Sequence, residues 1–577
     1  MGQQQDVTDS SEPESDYFGC AITAITLKNG QSLPLLGCGS VVAVVGANNV
    51  GKSTLLREIR AFASQTSGSR APAPKIITGV TFEWSGTDDA MREWALVHNK
   101  YDPSEARYVA FDPFQRLVTC RRQTGVPGEQ WKWFVNEQSP SEREKFCNPV
   151  ARPDSIRERP KHPFHILSVN ENARRAVQSV ADKLFGQRLE IDNISGKVGL
   201  VVGDPGVTAP PVNDVSAEYA DALAALPTLH EQGDGMRSAL GLLIPLITDH
   251  YCISLIDEPE AFLHPPQART LGTEVANIAG QNRSQVILAT HDKNFLQGLV
   301  ESGAPVTIIH LTREGDETSA QILKPEEVKQ LWDDTALRYG NALDGLFHSA
   351  VIVAEGDRDS QFYAAAIDHK LGQCEPPRVH NTMFLSAHGK NNLPAVVQQL
   401  RSLGIKTVCT PDFDILDNET VLKNLVEAHD GDWSVVESDY KRATNHFRQP
   451  TQYPSLSDVK AGVDAILAEA TGVVLTEDLA KRLRKAVSVK SPWAVLKTVG
   501  DRAFTAERSA LTTLLSYLDQ IGIVPVLVGE LERFLTTADV SKGAGFLKVA
   551  FDEGAHQTDD AQKHAERLLK AAGQPTA

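Results

Sequence analysis

The chain has 577 residues, and its 57 lysines and arginines stand against 74 aspartates and glutamates, which gives a formal charge of −17. This length predicts several domains, and a hydrophobic content of 41% with 23% charged residues excludes a wholly disordered chain. No apolar run reaches the roughly 18–20 residues that a membrane helix needs. Seven cysteines without a CxxC pair predict reduced thiols in the cytoplasm and no zinc site. The acidic balance by itself argues against a nucleic-acid partner.

The first half of the chain has the pattern of a P-loop domain. Residues 1–16 hold five acids and no base, which predicts a solvated, disordered tail. The apolar strand Val41–Val45 then runs into a glycine loop and a helix. Weaker patterns over about 67–200 predict a variable or dimerisation insert. We therefore expect an ATPase domain over 17–335, followed by a linker helix over 336–348.

The second half begins with a tight alternation of strands and helices between residues 350 and 410. Such an alternation predicts an α/β domain with a parallel, doubly wound sheet. Residues 420–520 have a mainly helical pattern, and 523–528 have the pattern of a further strand. We therefore expect a second domain over 349–550 with a helical insertion, and a C-terminal tail over 551–577.

The glycine loop carries the first chemical motif. It matches GxxxxGK[ST] and lies between a predicted strand and a predicted helix. Its glycines let backbone N–H groups surround phosphate oxygens, and the helix N-terminus adds positive potential. Lys52 then contacts the β- and γ-phosphates of ATP, and Ser53 binds Mg²⁺. The ATP-binding candidates of the loop are Gly46, Asn49, Gly51, Lys52, Ser53 and Thr54.

A second apolar strand ends in Asp257 and Glu258. This pair suits an ATPase site in which Asp257 holds Mg²⁺ and Glu258 polarises the attacking water. The run DEPEAFLHP resembles the DEPExxLHP run of ABC-type and SMC-like ATPases, and LATHD resembles their switch-histidine strand. That resemblance implies that His291 senses the γ-phosphate. GDGMRS at 233–238 resembles a degenerate ABC signature, which implies contact with nucleotide on a second subunit. A plain glycine turn is the alternative interpretation.

Carboxylates follow two strands of the second half. Glu355 and Asp359 follow the first of these strands, and Asp412 and Asp414 follow a later one. Since the carboxyl ends of parallel strands line one crevice, the four acids can converge. Divalent cations would neutralise them, and oxygen ligands favour Mg²⁺ or Mn²⁺, two of which suit phosphodiester hydrolysis. Taken singly, each acid is more readily explained as a strand-end cap or a turn former.

The ordered ExxxD and DxD pair resembles the TOPRIM pattern of primases, topoisomerases and related nucleases. AHGKN, which contains His388 and Lys390, resembles the glycine-lysine turn of the nuclease branches, although a plain turn is the simpler interpretation. VGELE resembles their GxLE segment, which implies a third metal-binding acid, Glu530 or Glu532. The candidates for a downstream lysine that stabilises transition-state charge are Lys542 and Lys548.

An ABC-type ATPase followed by TOPRIM in one chain resembles the OLD (overcoming lysogenization defect) family of nucleases, which includes the Gabija nuclease subunit and retron-associated nucleases. The resemblance implies a cytoplasmic, ATP-regulated, Mg²⁺-dependent endonuclease of bacterial antiphage defence that cuts DNA. It also implies a homodimer or higher oligomer through the ATPase domain. A second defence protein, or a retron RNA or DNA, is a further partner that it allows. The start Leu27-Lys-Asn-Gly departs from the family's NFR or NFK.

Two alternatives stay open. Phe362 and Tyr363 complete an EGxxDxxFY pattern that resembles the nuclease half of PARIS-type defence pairs, which would shift the substrate toward RNA such as tRNA. The other alternative is an SMC-like DNA-repair ATPase with an inactive TOPRIM domain. The intact ExxxD and DxD pair argues against that second interpretation.

One segment revises the inference from net charge. Residues 481–500 hold six basic residues, no acid and Trp493, so they can neutralise phosphates and stack on an unpaired base. A solvated helix face is the alternative. The nucleic-acid-binding candidates are Lys481, Arg482, Arg484 and Lys485. Where the charges lie, and not their sum, decides the partner.

Overall fold

A computed structural model of the chain divides into two compact units, residues 1–347 and 348–577. The residues that the structure describes are 17–65, 73–97, 101–102, 107–108, 121–122, 125–153, 160, 162–211, 216–248, 251–333, 342–448, 455–469, 474–487, 491–535 and 545–575. Within these ranges no helix is both long enough and apolar enough to cross a membrane. The predicted disordered tail lies outside them.

The first unit contains several sheets, and the largest of them is mainly parallel. Its strands are β1 (Gly19–Leu27), β2 (Ser32–Pro34), β3 (Val41–Val45), β4 (Ile77–Ser85), β5 (Tyr101–Asp102), β6 (Arg107–Tyr108), β7 (Val135–Gln138), β8 (Val150–Ala151), β9 (Leu189–Asp192), β10 (Lys197–Val202), β11 (Ile253–Asp257), β12 (Gln285–Ala289), β13 (Val306–Glu314) and β14 (Glu317–Leu323). Six strands pair in the order β14-β13-β3-β12-β11-β7, and only the β13–β14 pair is antiparallel. Both faces of β3 and β12 are buried, which explains why their residues are apolar except for Gln285 at the start of β12.

Helices connect these strands. The α-helices of the first unit are Lys52–Ala63, Asp88–Val97, Trp131–Phe134, Pro140–Arg143, Pro163–Val169, Glu171–Phe185, Ala217–Ala224, Asp234–Thr248, Pro265–Gln281, Lys293–Glu301 and Pro325–Asp333. Because β3, β11 and β12 are parallel and adjacent, the loops that leave their carboxyl ends lie side by side.

The described parts of the predicted insert of residues 67–200 contribute to several sheets, and β7 belongs to the six-stranded sheet itself. Strand β4 pairs along its length with β1 and completes the antiparallel sheet β2-β1-β4, whose apolar residues share one core with β3. The later part of the insert has its own sheet, β8-β10-β9, and packs Val177 and Leu200 against Leu240 of the helix Asp234–Thr248. The weak sequence pattern therefore covers segments of several different sheets, and it is not one separate insert.

The second unit has a three-stranded parallel sheet. Its strands are β15 (Ala350–Ala354), β16 (Thr382–Ser386) and β17 (Thr407–Thr410), in the order β16-β15-β17. Its α-helices are Asp357–Gly372, Leu393–Ser402, Glu419–Ala428, Trp433–Thr444, Leu456–Ala468, Glu477–Val487, Val495–Val499, Arg508–Ile521, Phe546–Asp552 and Asp559–Ala571. Alternate residues of β15 (Ala350, Ile352 and Ala354) pack into one core with the helix Asp357–Gly372. All five residues of β15 are buried, so the strand is covered on both faces, as in the predicted doubly wound fold.

The structure defines both ends of the second unit more closely than the sequence pattern does. Residues 523–528 form isolated parallel bridges beside β17, at Ile523 and Val526, in place of a full strand. The C-terminal segment, expected to be polar and either helical or frayed, contains the helix Asp559–Ala571, whose residues His564 and Leu568 are buried in the unit. Apolar residues at a spacing of three and four place one face of this helix in the core. Of the predicted linker helix, the described part, Ala342–Phe347, is a 3₁₀-helix.

Candidate active sites

The glycine loop after β3 has a backbone that only glycine can provide at two positions. Gly46 and Gly51 have φ angles of 145° and 107°. A Cβ atom at Gly46 would lie 2.4 Å from the carbonyl oxygen of Leu311, and one at Gly51 would lie 2.3 Å from Cδ1 of Ile76. Asn49 also has a positive φ, 66°. The loop runs into the helix that begins at Lys52, so its backbone N–H groups and the helix N-terminus suit a phosphate group.

The side chains at the start of this helix face the end of β11. The ammonium of Lys52 donates to the carbonyl oxygens of Gly46 (2.7 Å) and Ala47 (3.0 Å). The hydroxyl of Ser53 donates to Oδ1 of Asp257 at 3.0 Å. Burial lowers the pKa of Lys52 and raises the pKa of Asp257. A hydroxyl beside a carboxylate offers hard oxygen ligands, so the pair fits the Mg²⁺ ion that accompanies ATP. Thr54, next in the chain, accepts a hydrogen bond from Arg57.

The ends of β11 and β12 bring Glu258 and His291 together. Glu258 has a positive φ of 46° and donates its N–H to the carbonyl oxygen of Ala289 at 2.9 Å. Nδ1 of His291 lies 3.8 Å from Oε1 of Glu258 and 3.3 Å from Oε1 of Glu260. The Glu260 carboxylate also accepts the backbone N–H of His291 at 3.0 Å. Glu260 therefore positions the histidine and the turn, a role that the sequence motif did not reveal.

Arg143 is a second residue of this site that sequence analysis missed. Its fully buried guanidinium donates to the carbonyl oxygens of three successive residues, Asp257, Glu258 (2.7 Å) and Pro259 (3.2 Å). Burial lowers its pKa to about 10, against the opposing effect of the nearby acids. No local pattern in the sequence links Arg143 to residues more than a hundred positions away.

The signature-like stretch forms the start of the helix Asp234–Thr248. Arg237 pairs with Asp234 (2.5 Å) and with Glu144 (3.2 Å). Ser238 is fully buried, and its hydroxyl lies 3.4 Å from Nη1 of Arg143. Arg143 thus contacts both this helix and the turn that carries Glu258.

In the second unit, three of the predicted acids form one cluster. Oxygen atoms of Glu355, Asp412 and Asp414 all lie within 4.8 Å of one another. Glu355 follows β15, and its Oε1 accepts the backbone N–H of Asp412 at 3.0 Å. Asp412 and Asp414 follow β17, the neighbour of β15. Adjacent parallel strands therefore bring these acids together, as the sequence predicted.

The electrostatics of this cluster fit a divalent cation. Burial, reinforced by the charges of Asp414 and Asp359, raises the pKa of Glu355 to about 7. The side chain of Asp414 is buried, and its Oδ1 makes no hydrogen bond within the described residues. A buried carboxylate oxygen without a donor is costly, and a metal ion would satisfy it. Glu355, Asp412 and Asp414 would hold Mg²⁺ or Mn²⁺ through oxygen alone.

The other predicted metal ligands lie around this group and are not members of it. Asp359 is in the first turn of the helix Asp357–Gly372. Its carboxylate lies against Gly356, so that a Cβ atom added to this glycine would be only 3.0 Å from Oδ2 of Asp359. Glu530 is buried, 3.4 Å from Arg533, and Glu532 follows it in a short 3₁₀-helix. The Gly529 carbonyl accepts the N–H of Phe413 at 2.8 Å, so this segment runs beside the DxD turn. Their roles as ligands stay predictions.

Two lysines that the motif did not suggest contact the cluster. Lys542 lies outside the described residues, and Lys548 is exposed on the helix Phe546–Asp552. Lys390 and Lys497 contact Oδ2 of Asp414, at 2.9 and 3.1 Å, and the role of Lys542 or Lys548 stays a prediction. Lys390 belongs to the glycine-lysine turn, for which a plain turn had been the simpler interpretation, and Lys497 comes from the helical insertion.

The basic candidates lie on the helix Glu477–Val487. Lys481 pairs with Glu477 at 3.2 Å, Arg482 pairs with Glu469, and Arg484 is exposed. The side chain of Lys485 lies outside the described part of the structure. Trp493 stacks on Phe447, with ring centroids 5.3 Å apart, so one face of the indole packs inside the protein. Nucleic-acid binding by this segment stays a prediction.

Two family models match the chain. An AAA domain (putative AbiEii toxin, type IV TA system) matches residues 139–297, which include Asp257, Glu258 and His291. An "overcoming lysogenization defect protein-like, TOPRIM" domain matches residues 346–414, which include the ExxxD and DxD acids. A curated relative, an uncharacterized protein of Methanocaldococcus jannaschii, is 29% identical over 105 residues, covering 17% of this chain and 90% of that protein.

Similar solved structures are heads of SMC proteins. One is an SMC head bound to the C-terminal winged-helix domain of ScpA, with 14% identity and a TM-score of 0.34, covering 54% of this chain and 99% of that chain. Another is the SMC head domain from Thermotoga maritima, with 13% identity and a TM-score of 0.28, covering 53% of this chain and 99% of that chain. The chain thus joins an AAA-type ATPase domain to an OLD-like TOPRIM domain, which is the domain pairing of the OLD family that its motifs resemble.

Proposed function

We propose that the protein is an ATP-regulated nuclease that uses a divalent metal ion to hydrolyse phosphodiester bonds, with DNA as its substrate. The observation that carries the proposal is the cluster of Glu355, Asp412 and Asp414, with a buried Asp414 oxygen that makes no hydrogen bond within the described residues. Bound Mg²⁺ or Mn²⁺ would activate water and stabilise the leaving oxygen. The chain's own acids hold and orient the ions, and the main-chain bond from Asp412 to Glu355 fixes the relative position of two of them.

The ATP site supports regulation by nucleotide. The contacts of Lys52, Ser53 and Asp257 support binding of ATP with Mg²⁺. The closeness of Glu258 to His291 supports roles for both in hydrolysis of the γ-phosphate. We further propose that the protein acts in bacterial antiphage defence. The support is the OLD-like TOPRIM match together with the order of the two domains.

The RNA-cutting alternative gains no support from its motif. Phe362 and Tyr363, which complete the EGxxDxxFY pattern, are both fully buried in the core of the second unit. Phe362 also stacks on Phe534, with ring centroids 5.3 Å apart. These aromatic residues are therefore explained by packing, and they do not discriminate between DNA and RNA.

The test is a cleavage assay of the full chain on plasmid DNA, phage DNA and tRNA, with Mg²⁺ or Mn²⁺, with and without ATP. We expect DNA cleavage that Asp412→Ala lowers by at least about a hundredfold, because losing a metal ligand removes charge stabilisation of the transition state. Lys52→Ala should abolish the effect of ATP and leave metal binding intact. The control, Asp430→Ala, removes an exposed acid of the same unit that pairs with Arg401.

Two results of this assay would contradict the proposed nuclease activity, and a third would change the proposed substrate. Cleavage that survives Asp412→Ala, or no cleavage of any substrate under all conditions, would contradict the proposed nuclease. Selective cutting of tRNA would replace DNA with RNA as the substrate.

A further inference from the structure

Two lysines from distant parts of the second unit contact one oxygen of the carboxylate cluster. Oδ2 of Asp414 lies 2.9 Å from Nζ of Lys390 and 3.1 Å from Nζ of Lys497. The side chain of Asp414 is only 3% exposed, so these contacts are shielded from solvent on the acid's side. Its other oxygen, Oδ1, is buried and makes no hydrogen bond within the described residues. The acid is therefore neutralised on one side and unsatisfied on the other.

The backbone of Lys497 is fixed beside the DxD turn by two glycines. A Cβ atom at Gly500 would lie 1.9 Å from the carbonyl oxygen of Leu527, and one at Gly529 would lie 2.4 Å from that of Lys497. Both glycines have positive φ angles, 62° and 119°. The segment that carries Lys497 and Gly500 therefore packs directly against the segment that carries Leu527 and Gly529, and a side chain at either glycine would clash with the opposite backbone. This close approach places the lysine at the metal site.

The two lysines are held to different degrees. Lys390 also pairs with Asp417 at 2.8 Å, and its side chain is 23% exposed. The side chain of Lys497 is 47% exposed, and its one ion pair within the described residues is with Asp414. A lysine is a mobile point charge on a flexible stem, so Lys497 can leave Asp414 more readily than Lys390 can.

We propose that Lys497 is an exchangeable counter-ion of the carboxylate cluster: it neutralises Asp414 when no metal is bound, and a divalent cation displaces it toward the phosphate of the substrate. Lys390 stays as a fixed positioning group that orients Asp414. The first step concerns metal binding alone, and the second rests on the proposed nuclease function. Lys497 therefore opposes the metal ion before substrate arrives and assists substrate binding afterwards.

The two steps predict opposite effects of one substitution. In Lys497→Met, a positive charge no longer competes at Asp414, so Mn²⁺ should bind more tightly, by about tenfold in Kd. Isothermal titration calorimetry of the full chain with Mn²⁺, without nucleic acid, measures this. At saturating Mn²⁺, DNA cleavage by the same variant should fall at least about tenfold because one phosphate contact is lost. A residue needed only for folding would weaken both.

Two controls isolate the charge at this position. Lys441 lies in the same helical insertion, is 52% exposed and is also ion-paired, with Glu437, so Lys441→Met should match the wild type in both measurements. Lys497→Arg keeps the charge and should return the Mn²⁺ affinity to within about threefold of the wild type.

An unchanged or weaker Mn²⁺ affinity in Lys497→Met would overturn the exchange, as would tighter binding that Lys497→Arg also shows. The proposed function fails on a different measurement, the survival of cleavage in Asp412→Ala. The calorimetric result does not depend on cleavage, so the two failures are distinguishable.

Discussion

At the scale of single residues, both candidate sites depend on side chains that support the motif residues. Glu258 has a left-handed backbone, which costs a non-glycine residue about 1–2 kcal/mol. Arg143 binds the carbonyl oxygens on each side of this turn, and charge-assisted hydrogen bonds to buried carbonyls are strong enough to offset that cost. The catalytic candidate Glu258 is thus held by a residue that belongs to none of the nucleotide motifs in the sequence.

A buried histidine gives a prediction at the same scale. His429 is 3% exposed, and burial, aided by the charge of Arg401, lowers its pKa to about 4. The histidine of the unfolded chain has a pKa near 6.5, so on acidification it binds a proton at a higher pH than buried His429 does. The contribution of neutral His429 to the free energy of unfolding is therefore complete above about pH 6.5 and is lost as the pH falls toward 4. Between pH 7.5 and 4.5 this loss should be about 2–3 kcal/mol of unfolding free energy.

The comparison of His429→Leu with the wild type checks this prediction by urea unfolding at the two pH values. The variant should lose less stability than the wild type on acidification. The control His446→Leu replaces an exposed histidine of the same unit and should keep the wild-type pH dependence. Parallel pH profiles for His429→Leu and the wild type would contradict the assignment.

At the scale of elements, the helical insertion has two distinct parts. The helices Leu456–Ala468 and Glu477–Val487 pack on each other, and the first of them has no buried side chain. The following segment, Pro492–Ala503, is instead tied to the core through Leu496 and Gly500. One part of the insertion therefore presents charge to solvent, and the other supplies Lys497 to the carboxylate cluster.

The exposed part gives a prediction about nucleic-acid binding. Reversing the charges of Lys481, Arg482, Arg484 and Lys485 should flatten the dependence of DNA affinity on salt, by about two in the slope of log K against log [salt]. Each phosphate contact contributes about 0.9 to that slope, and two of the four bases already pair with acids. Fluorescence anisotropy over a salt series measures the slope.

Its control reverses Lys423 and Lys441, exposed lysines of the two preceding helices that also pair with acids. That double variant should keep the wild-type slope. An unchanged slope in the fourfold variant would show that the basic helix face is only solvated surface.

At the scale of the whole molecule, each compact unit contains one complete set of motif residues. The ATP-site residues lie within 1–347, and the carboxylate cluster lies within 348–577. The signature-like stretch 233–238 is part of the first unit and forms the start of the helix Asp234–Thr248. If it acts as a signature, its ligand is nucleotide on a second copy of the chain.

We therefore predict that ATP drives dimerisation. Glu258→Gln should bind ATP without hydrolysing it, because the acid that polarises the water is lost. Mass photometry of this variant should show a doubled mass with ATP and Mg²⁺. Lys52→Ala should prevent the doubling, since it removes the contact to the β- and γ-phosphates. A mass that is independent of ATP in Glu258→Gln would contradict the signature interpretation.

The sequence by itself determined which chemistry follows which strand. Val41–Val45, Ile253–Asp257 and Ala350–Ala354 are recognisable because buried parallel strands are continuously apolar. The glycine loop and the carboxylates come directly after such strands, so their local order already places them at one edge of a sheet. The ATP motifs and the ExxxD and DxD acids could therefore be predicted without a structure.

Only the tertiary structure decided which residues complete these sites. Arg143 reaches the turn of Glu258 across more than a hundred residues, and Lys497 reaches Asp414 from an insertion without any recognisable motif. Contacts of this kind leave no periodicity or spacing in the sequence, because long side chains bridge segments that the fold alone makes neighbours. Lys390 and Lys497 are therefore additional to the lysines expected downstream of the last acid, whose role stays a prediction.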